Sequence, residues 1–191
     1  MRKPITVALL IVLITVPLAY AQTARKGYQF LNVFPGRFTC EYPSKDWDVV
    51  AGGANSLVTL SQKKREATVV IEYQPLQIEL AANEIDDTFA KLEADPIIAR
   101  QSDVSSMTTR ILDISGHRAI VIEYSRHGVT GSEHVRQYSL PMGKQLYRVI
   151  GSAPNAMFDR YAPTFEVVAS SFALAGAAGA APAATTMAPK R

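Results

Sequence analysis

The sequence predicts a mixed α and β domain whose strands run antiparallel. Short apolar, β-branched runs recur along much of the chain. The connectors between many of them are only a few residues long, too short for the crossover that a parallel pair requires. Two longer segments instead repeat apolar residues at spacings of three and four, the helical period.

Taken in order, Arg2 and Lys3 precede an almost unbroken apolar run from Ile5 to Leu18, and Ala19-Tyr20-Ala21 places small residues at the two positions a signal peptidase reads. This is the layout of a secretory signal peptide, and the run is shorter than the ~20 apolar residues of a membrane-spanning helix. Cleavage near Ala21-Gln22 is expected, with no cysteine following it to carry a lipid. The product is expected to be periplasmic or secreted, without stable membrane insertion. Residues 1–21 are thus assigned to the signal peptide, 22–35 to an N-terminal arm, 36–174 to the folded domain and 175–191 to a disordered tail. The Ala, Gly, Pro and Thr composition of the tail begins at Ala173 and offers too little bulk to offset ordering entropy.

Phe38 to Tyr42 is β-prone and stops at Pro43; Trp47 to Val50 reads as a short strand before Gly52-Gly53. Leu57 to Ser61 and Ala67 to Tyr73 flank the charged Gln62–Glu66 turn as a hairpin. Asn83 is the expected cap of a helix with Glu84, Asp86 and Asp87 at its positive end. Ile85, Phe89 and Leu92 form its apolar face, and Pro96 is its expected stop. Four strands are then expected, at Thr108 to Ile114, His117 to Arg126, Ser132 to Leu140 and Lys144 to Ser152. A four-residue turn between the middle two places Glu123 opposite Arg136 and Arg126 opposite Glu133, two pairs of opposite charge that support the register. In the last segment, Phe158, Tyr161, Phe165, Val168 and Phe172 share one helical stripe, read as core. Pro163 within it predicts a kink or a helix start.

Charge and cysteine content exclude several classes. Two of the positive charges behind the net +3 belong to the signal peptide, so the mature chain lacks the basic excess of a nucleic-acid stripe. Cys40 is the single cysteine, which rules out an intramolecular disulfide; its strand context reads as a buried small hydrophobe rather than a reactive thiol. No glycine-rich nucleotide loop, HExxH helix or Gly-x-Ser-x-Gly elbow is present, so no enzyme activity, catalytic residue or cofactor is expected. His127 and His134 are the candidate metal ligands. Glu133 points to the opposite face from His134, and His117 lies roughly 30 Å from the turn, so no metal site is expected. Tyr124, Tyr138, Tyr147 and Arg148 are the candidate binding residues, should a pocket form beneath one helix.

The segments Phe38…Tyr42-Pro43…Trp47, Gly116-His117-Arg118-Ala119 and Phe158-Asp159-Arg160-Tyr161-Ala162-Pro163-Thr164-Phe165…Ser170-Ser171-Phe172 resemble the PsbP-like domain pattern. That family includes the extrinsic PsbP proteins of photosystem II, the Ran-binding Mog proteins and many bacterial exported proteins. The resemblance spans about residues 36–174. It implies an α/β/α sandwich with a central antiparallel sheet of about six strands and helices on both faces, and a protein that docks onto a macromolecule. It transfers no functional residue position by position. The expected function is an exported, soluble, non-enzymatic module of the cell envelope that binds or assembles with an envelope or secreted protein. The alternative is a periplasmic protein that binds a small molecule or metal ion.

Overall fold

The computed structural model describes residues 24–33, 38–52, 56–128 and 131–174; the expected signal peptide and residues 175–191 lie outside them. In chain order the elements are β1 (Tyr28–Val33), β2 (Phe38–Pro43), β3 (Trp47–Ala51), β4 (Ser56–Gln62), β5 (Thr68–Pro75), α1 (Asp87–Arg100), β6 (Ser105–Ile114), β7 (His117–Gly128), β8 (Gly131–Met142), β9 (Gln145–Pro154), α2 (Phe158–Ser170) and β10 (Ala173–Leu174). Single 3-10 turns precede each helix, at Ala82–Glu84 and Asn155–Met157.

Seven strands form one antiparallel sheet in the order β3-β4-β5-β9-β8-β7-β6, and a second sheet has the order β1-β2-β10. The expected four-strand meander β6–β9 joins β3, β4 and β5 through the β5–β9 pair, so the sheet has seven strands where the resemblance implied about six. The predicted register holds: Glu123 pairs with Arg136 and Arg126 with Glu133. At the β6–β7 turn, Ser115 (φ 51°) and Gly116 (φ 82°) are both left-handed, the conformation a two-residue hairpin turn matched to strand twist requires.

The two faces of the large sheet are covered unequally. Against one face pack α2 and the small sheet, enclosing Phe38, Leu60, Ile71, Tyr147, Phe165 and Val168 in the main core. All five residues of the expected α2 stripe are buried, and the helix runs through Pro163 without ending there. Against the other face packs α1, over Ile120, Ile122, Tyr124 and Val135. Among the described residues none of β3, β4 or β5 joins that second cluster, and no described helix covers that half of the face. The arrangement is therefore a lopsided version of the expected sandwich.

Three local expectations are corrected. Asp86, not Asn83, caps α1: its carboxylate accepts from the Thr88 and Phe89 amides at 2.9 and 3.0 Å, while Asn83 lies in the preceding 3-10 turn. Moving the start shifts the buried stripe to Ala90, Glu93 and Ala94 and leaves Leu92 62% exposed. The helix also continues past Pro96 to Arg100. Pro96 is on the exposed side, where water can satisfy the carbonyl that its missing N–H leaves free. In the small sheet, β1 lies within the expected N-terminal arm, and both β1 and β10 pair with β2.

Cys40 lies on the core face of β2 and is fully buried. Burial, with the Glu41 charge beside it, pushes its thiol up to about 12. Since the thiolate is the reactive form, native protein at pH 8 should leave an aromatic disulfide reagent unreduced and release one equivalent after urea unfolding. Native reaction at the unfolded rate would contradict this placement.

Candidate functional site

Side chains alternate between faces along each strand, which puts Glu72 and Gln74 of β5, Gln137 and Ser139 of β8, and Arg148 of β9 on the α1 side of the large sheet. Glu93 descends onto them from α1 and is only 7% exposed. Its carboxylate accepts from Arg148 Nε at 2.6 Å and Nη2 at 2.7 Å, and from Ser139 Oγ at 2.7 Å. The second guanidinium nitrogen also donates to Gln74 Oε1 at 2.8 Å, and Gln137 Nε2 donates to Ser139 Oγ at 3.0 Å. Burial works against the Arg148 charge, but Glu93 and Glu72 outweigh it and hold the guanidinium firmly protonated. At Glu72 burial wins over Arg148 and Arg100 and raises the carboxyl.

This polar cluster borders the half of the face without a helix. There the cross-strand partners Val50–Thr59 and Thr59–Val70 form one row, which continues to Ile150 at the edge of the cluster under α1. Asp48–Ser61, Ser61–Thr68 and Thr68–Ser152 form the next. Val50 is 53% exposed and the rest of the first row is half-buried, whereas Val58, Leu60, Val69 and Ile71 on the reverse face are buried. A short-side-chain, apolar and hydroxyl surface edged by charge is thus presented on a rigid sheet. Such a surface can accept a broad, flat contact.

A second charged cluster lies on the α2 side. Glu123 accepts from Arg110 Nη2 and from Arg136 Nη2 at 3.2 Å, and His134 Nε2 lies 3.4 Å away without hydrogen-bond alignment. Phe158 lies 3.9 Å from the His134 ring and 5.2 Å from the Arg136 guanidinium carbon. Partial burial alone would raise the Glu123 carboxyl, but Arg136, Arg110 and His134 together hold it below the ordinary value. A lowered folded-state value means that the ionised carboxylate stabilises the fold above the unfolded value of about 4.3, and that this contribution disappears as pH falls through the lower folded value. Glu123→Gln should therefore cost roughly 1–3 kcal/mol at pH 7, and the gap from the parent should shrink as pH drops from about 5 to 3. Urea titrations across that range measure it; a pH-independent gap would contradict the ionic role.

The candidate residues read from sequence divide between faces. Tyr124 and Arg148 lie on the α1 side, Tyr124 in the apolar cluster and Arg148 on Glu93. Tyr138 and Tyr147 belong to the main core on the opposite side, where Tyr147 packs on Phe38, Tyr73 and Phe172. One pocket lined by all four does not form. His127 is exposed, its backbone N–H donating to Asp103 at 2.7 Å. His134 meets Glu123, not Glu133, which is taken by Arg126. Two guanidiniums already claim Glu123, so a cation approaching His134 would meet net positive charge. Among the described residues no group of three or more His, Cys, Asp or Glu converges, and no helix is long and apolar enough to cross a membrane. Glu93 was not foreseen; its signal was a charged residue on the same helical turn as Ala90 and Ala94.

No protein-family model matches the chain, and no curated protein matches it in sequence. Solved structures do. The solution structure of cyanobacterial PsbP (CyanoP) from Synechocystis sp. PCC 6803 is similar with a TM-score of 0.58 and 17% identity, over 78% of this chain and 92% of that one. LpqN of Mycobacterium tuberculosis, described as involved in cell envelope biogenesis, is similar with a TM-score of 0.53 and 11% identity, over 78% and 91%. A protein from Bacteroides thetaiotaomicron is similar with a TM-score of 0.54 and 13% identity, over 74% of this chain and 49% of that one. At these identities the likeness is one of architecture, and in architecture the chain has the PsbP-like fold.

Proposed function

We propose that the protein is a non-enzymatic binding module of the cell envelope that docks a protein partner on the uncovered half of its large sheet. The observation that carries this reading is the open face of β3, β4 and β5, with Val50, Thr59 and Val70 in one row. Its reverse side is core, so the surface is held rigid before a partner arrives and little ordering cost accompanies docking. The export layout of residues 1–21 and the fold shared with an envelope-biogenesis protein support an extracytoplasmic setting.

The test is affinity capture from an envelope extract with the parent protein and with Val50→Arg, a change at an exposed position that leaves the core untouched. A partner retained by the parent and lost by the variant supports the assignment. Equal capture by both overturns this surface, and failure to capture any specific protein under several mild conditions overturns the docking function.

A further inference from the structure

Where the small sheet meets the end of α2 and the β6–β7 turn, a cleft of about 430 Å³ opens, lined by Arg25, Phe30, Glu41, His117, Ser171 and Phe172 among others. Glu41 is the unusual member. It sits on the face of β2 opposite Phe38, Cys40 and Tyr42, yet is only 8% exposed. Its Oε2 atom is buried and accepts no hydrogen bond. The nearest cation is Arg25, whose Nε lies 3.4 Å away without hydrogen-bond alignment and whose side chain is half exposed.

A carboxylate oxygen withdrawn from water without a donor is costly, and the local groups cannot relieve it. Ser171 Oγ accepts from the Glu41 backbone N–H at 2.8 Å and donates to the Val167 carbonyl at 2.7 Å. Ser115 Oγ donates to the Ser170 carbonyl. Neither Arg25 nor His117, the side-chain N–H donors that line the cleft, hydrogen-bonds that oxygen, and Arg25 brings its guanidinium near in poor geometry. Phe30, paired across the sheet with Glu41, gives such a planar cation an aromatic surface beside the carboxylate. The cleft also falls within the usual range of ligand sites, ~300–1,000 Å³.

We propose that this cleft binds a guanidinium group supplied from outside the chain, and that Arg25 is its displaceable internal substitute. The site lies apart from the open sheet face and stands independently of the docking reading. Because Arg25 competes with the incoming group, removing it should tighten binding: if Arg25 fills the site about four-fifths of the time, the apparent dissociation constant falls about fivefold.

The experiment titrates the protein with methylguanidinium, with agmatine and with Nα-acetyl-arginine amide at constant ionic strength, followed by amide chemical shifts around Phe30, Glu41 and Ser171. Saturable binding that Arg25→Ala tightens and Glu41→Gln abolishes is the expected result. Saturation by the capped arginine assigns the group to a partner polypeptide, and saturation by agmatine and methylguanidinium without the capped arginine assigns it to a free cation. No saturable response, or an unchanged or weaker constant in Arg25→Ala, overturns the proposal. Should Glu41→Gln fail to fold, the Arg25→Ala arm decides alone, because that side chain is half exposed and its truncation leaves the core intact.

Discussion

Glu93→Ala should destabilise the protein by about 3–5 kcal/mol, the cost of leaving one member of a buried ion pair without its partner. Arg148 would keep its charge under α1 with Gln74 Oε1 as its remaining direct acceptor in this cluster, and the fully buried Ser139 hydroxyl would lose the acceptor it donates to. The magnitude is large against the 5–15 kcal/mol of a typical domain, and the location explains why. The buried apolar residues of α1 itself are two alanines, Ala90 and Ala94, which bury few methyl groups at roughly 0.8 kcal/mol per CH₂-sized unit. Phe89 and Ile97 add partial contacts, so the Glu93 network is a large share of what fastens α1 to β8 and β9. Replacing both members of the pair, Glu93→Leu with Arg148→Met, should cost much less than either charge-stranding single change, because no unpaired charge is left behind. Urea denaturation of the four proteins of this cycle measures the effect. Additive single and double losses would mean that the pair is solvated and its burial misjudged.

That cluster also marks where the sequence stops being readable. The β7–β8 register was legible because its evidence is local: opposite charges across a short turn can only face each other in one alignment, and Glu123–Arg136 and Arg126–Glu133 do so. The α2 stripe was legible for the same kind of reason, since five large apolar residues within fifteen positions leave a single way to bury them all. Glu93 is the opposite case. Its partners lie 44 to 55 residues away, and a carboxylate within a helix ordinarily marks the wet side. Choosing the face by the spacing of Ile85, Phe89 and Leu92 put Leu92 inside, where the structure leaves it 62% exposed.

The uncovered sheet half was hidden for a related reason. Val50, Thr59 and Val70 follow strand alternation whether a helix covers them or not, so nothing in their own pattern records the absent layer. Likewise, β1 and β10 find their common partner β2 from the two ends of the described chain. The pairing of Leu174 with Phe38 has no local trace, and the short Ala173–Leu174 run alone resembles the start of a solvated extension.

Gly151→Ala should be among the most damaging single-methyl changes in the molecule. Gly151 lies in β9 beneath α2, and a Cβ built on it would stand 2.3 to 2.7 Å from three ring carbons of Phe165, a distance no carbon pair tolerates. Phe165 is itself fully buried in the main core, so its ring has no free space to retreat into. Relief requires an off-rotamer ring or a shift of α2 away from the sheet, which costs about 1–3 kcal/mol or more in a close-packed core. Phe165→Ala alone should cost about 3–5 kcal/mol through the cavity it leaves. The informative protein is the double variant. With the ring gone the new methyl meets no clash and fills part of the cavity, so the double variant should be more stable than the sum of the two losses predicts, a favourable coupling of ~1–3 kcal/mol. Thermal and urea unfolding of both singles and the double would show it. Strictly additive losses would mean that α2 does not rest its phenylalanine on the glycine of β9, and the helix would have to be placed elsewhere on the sheet.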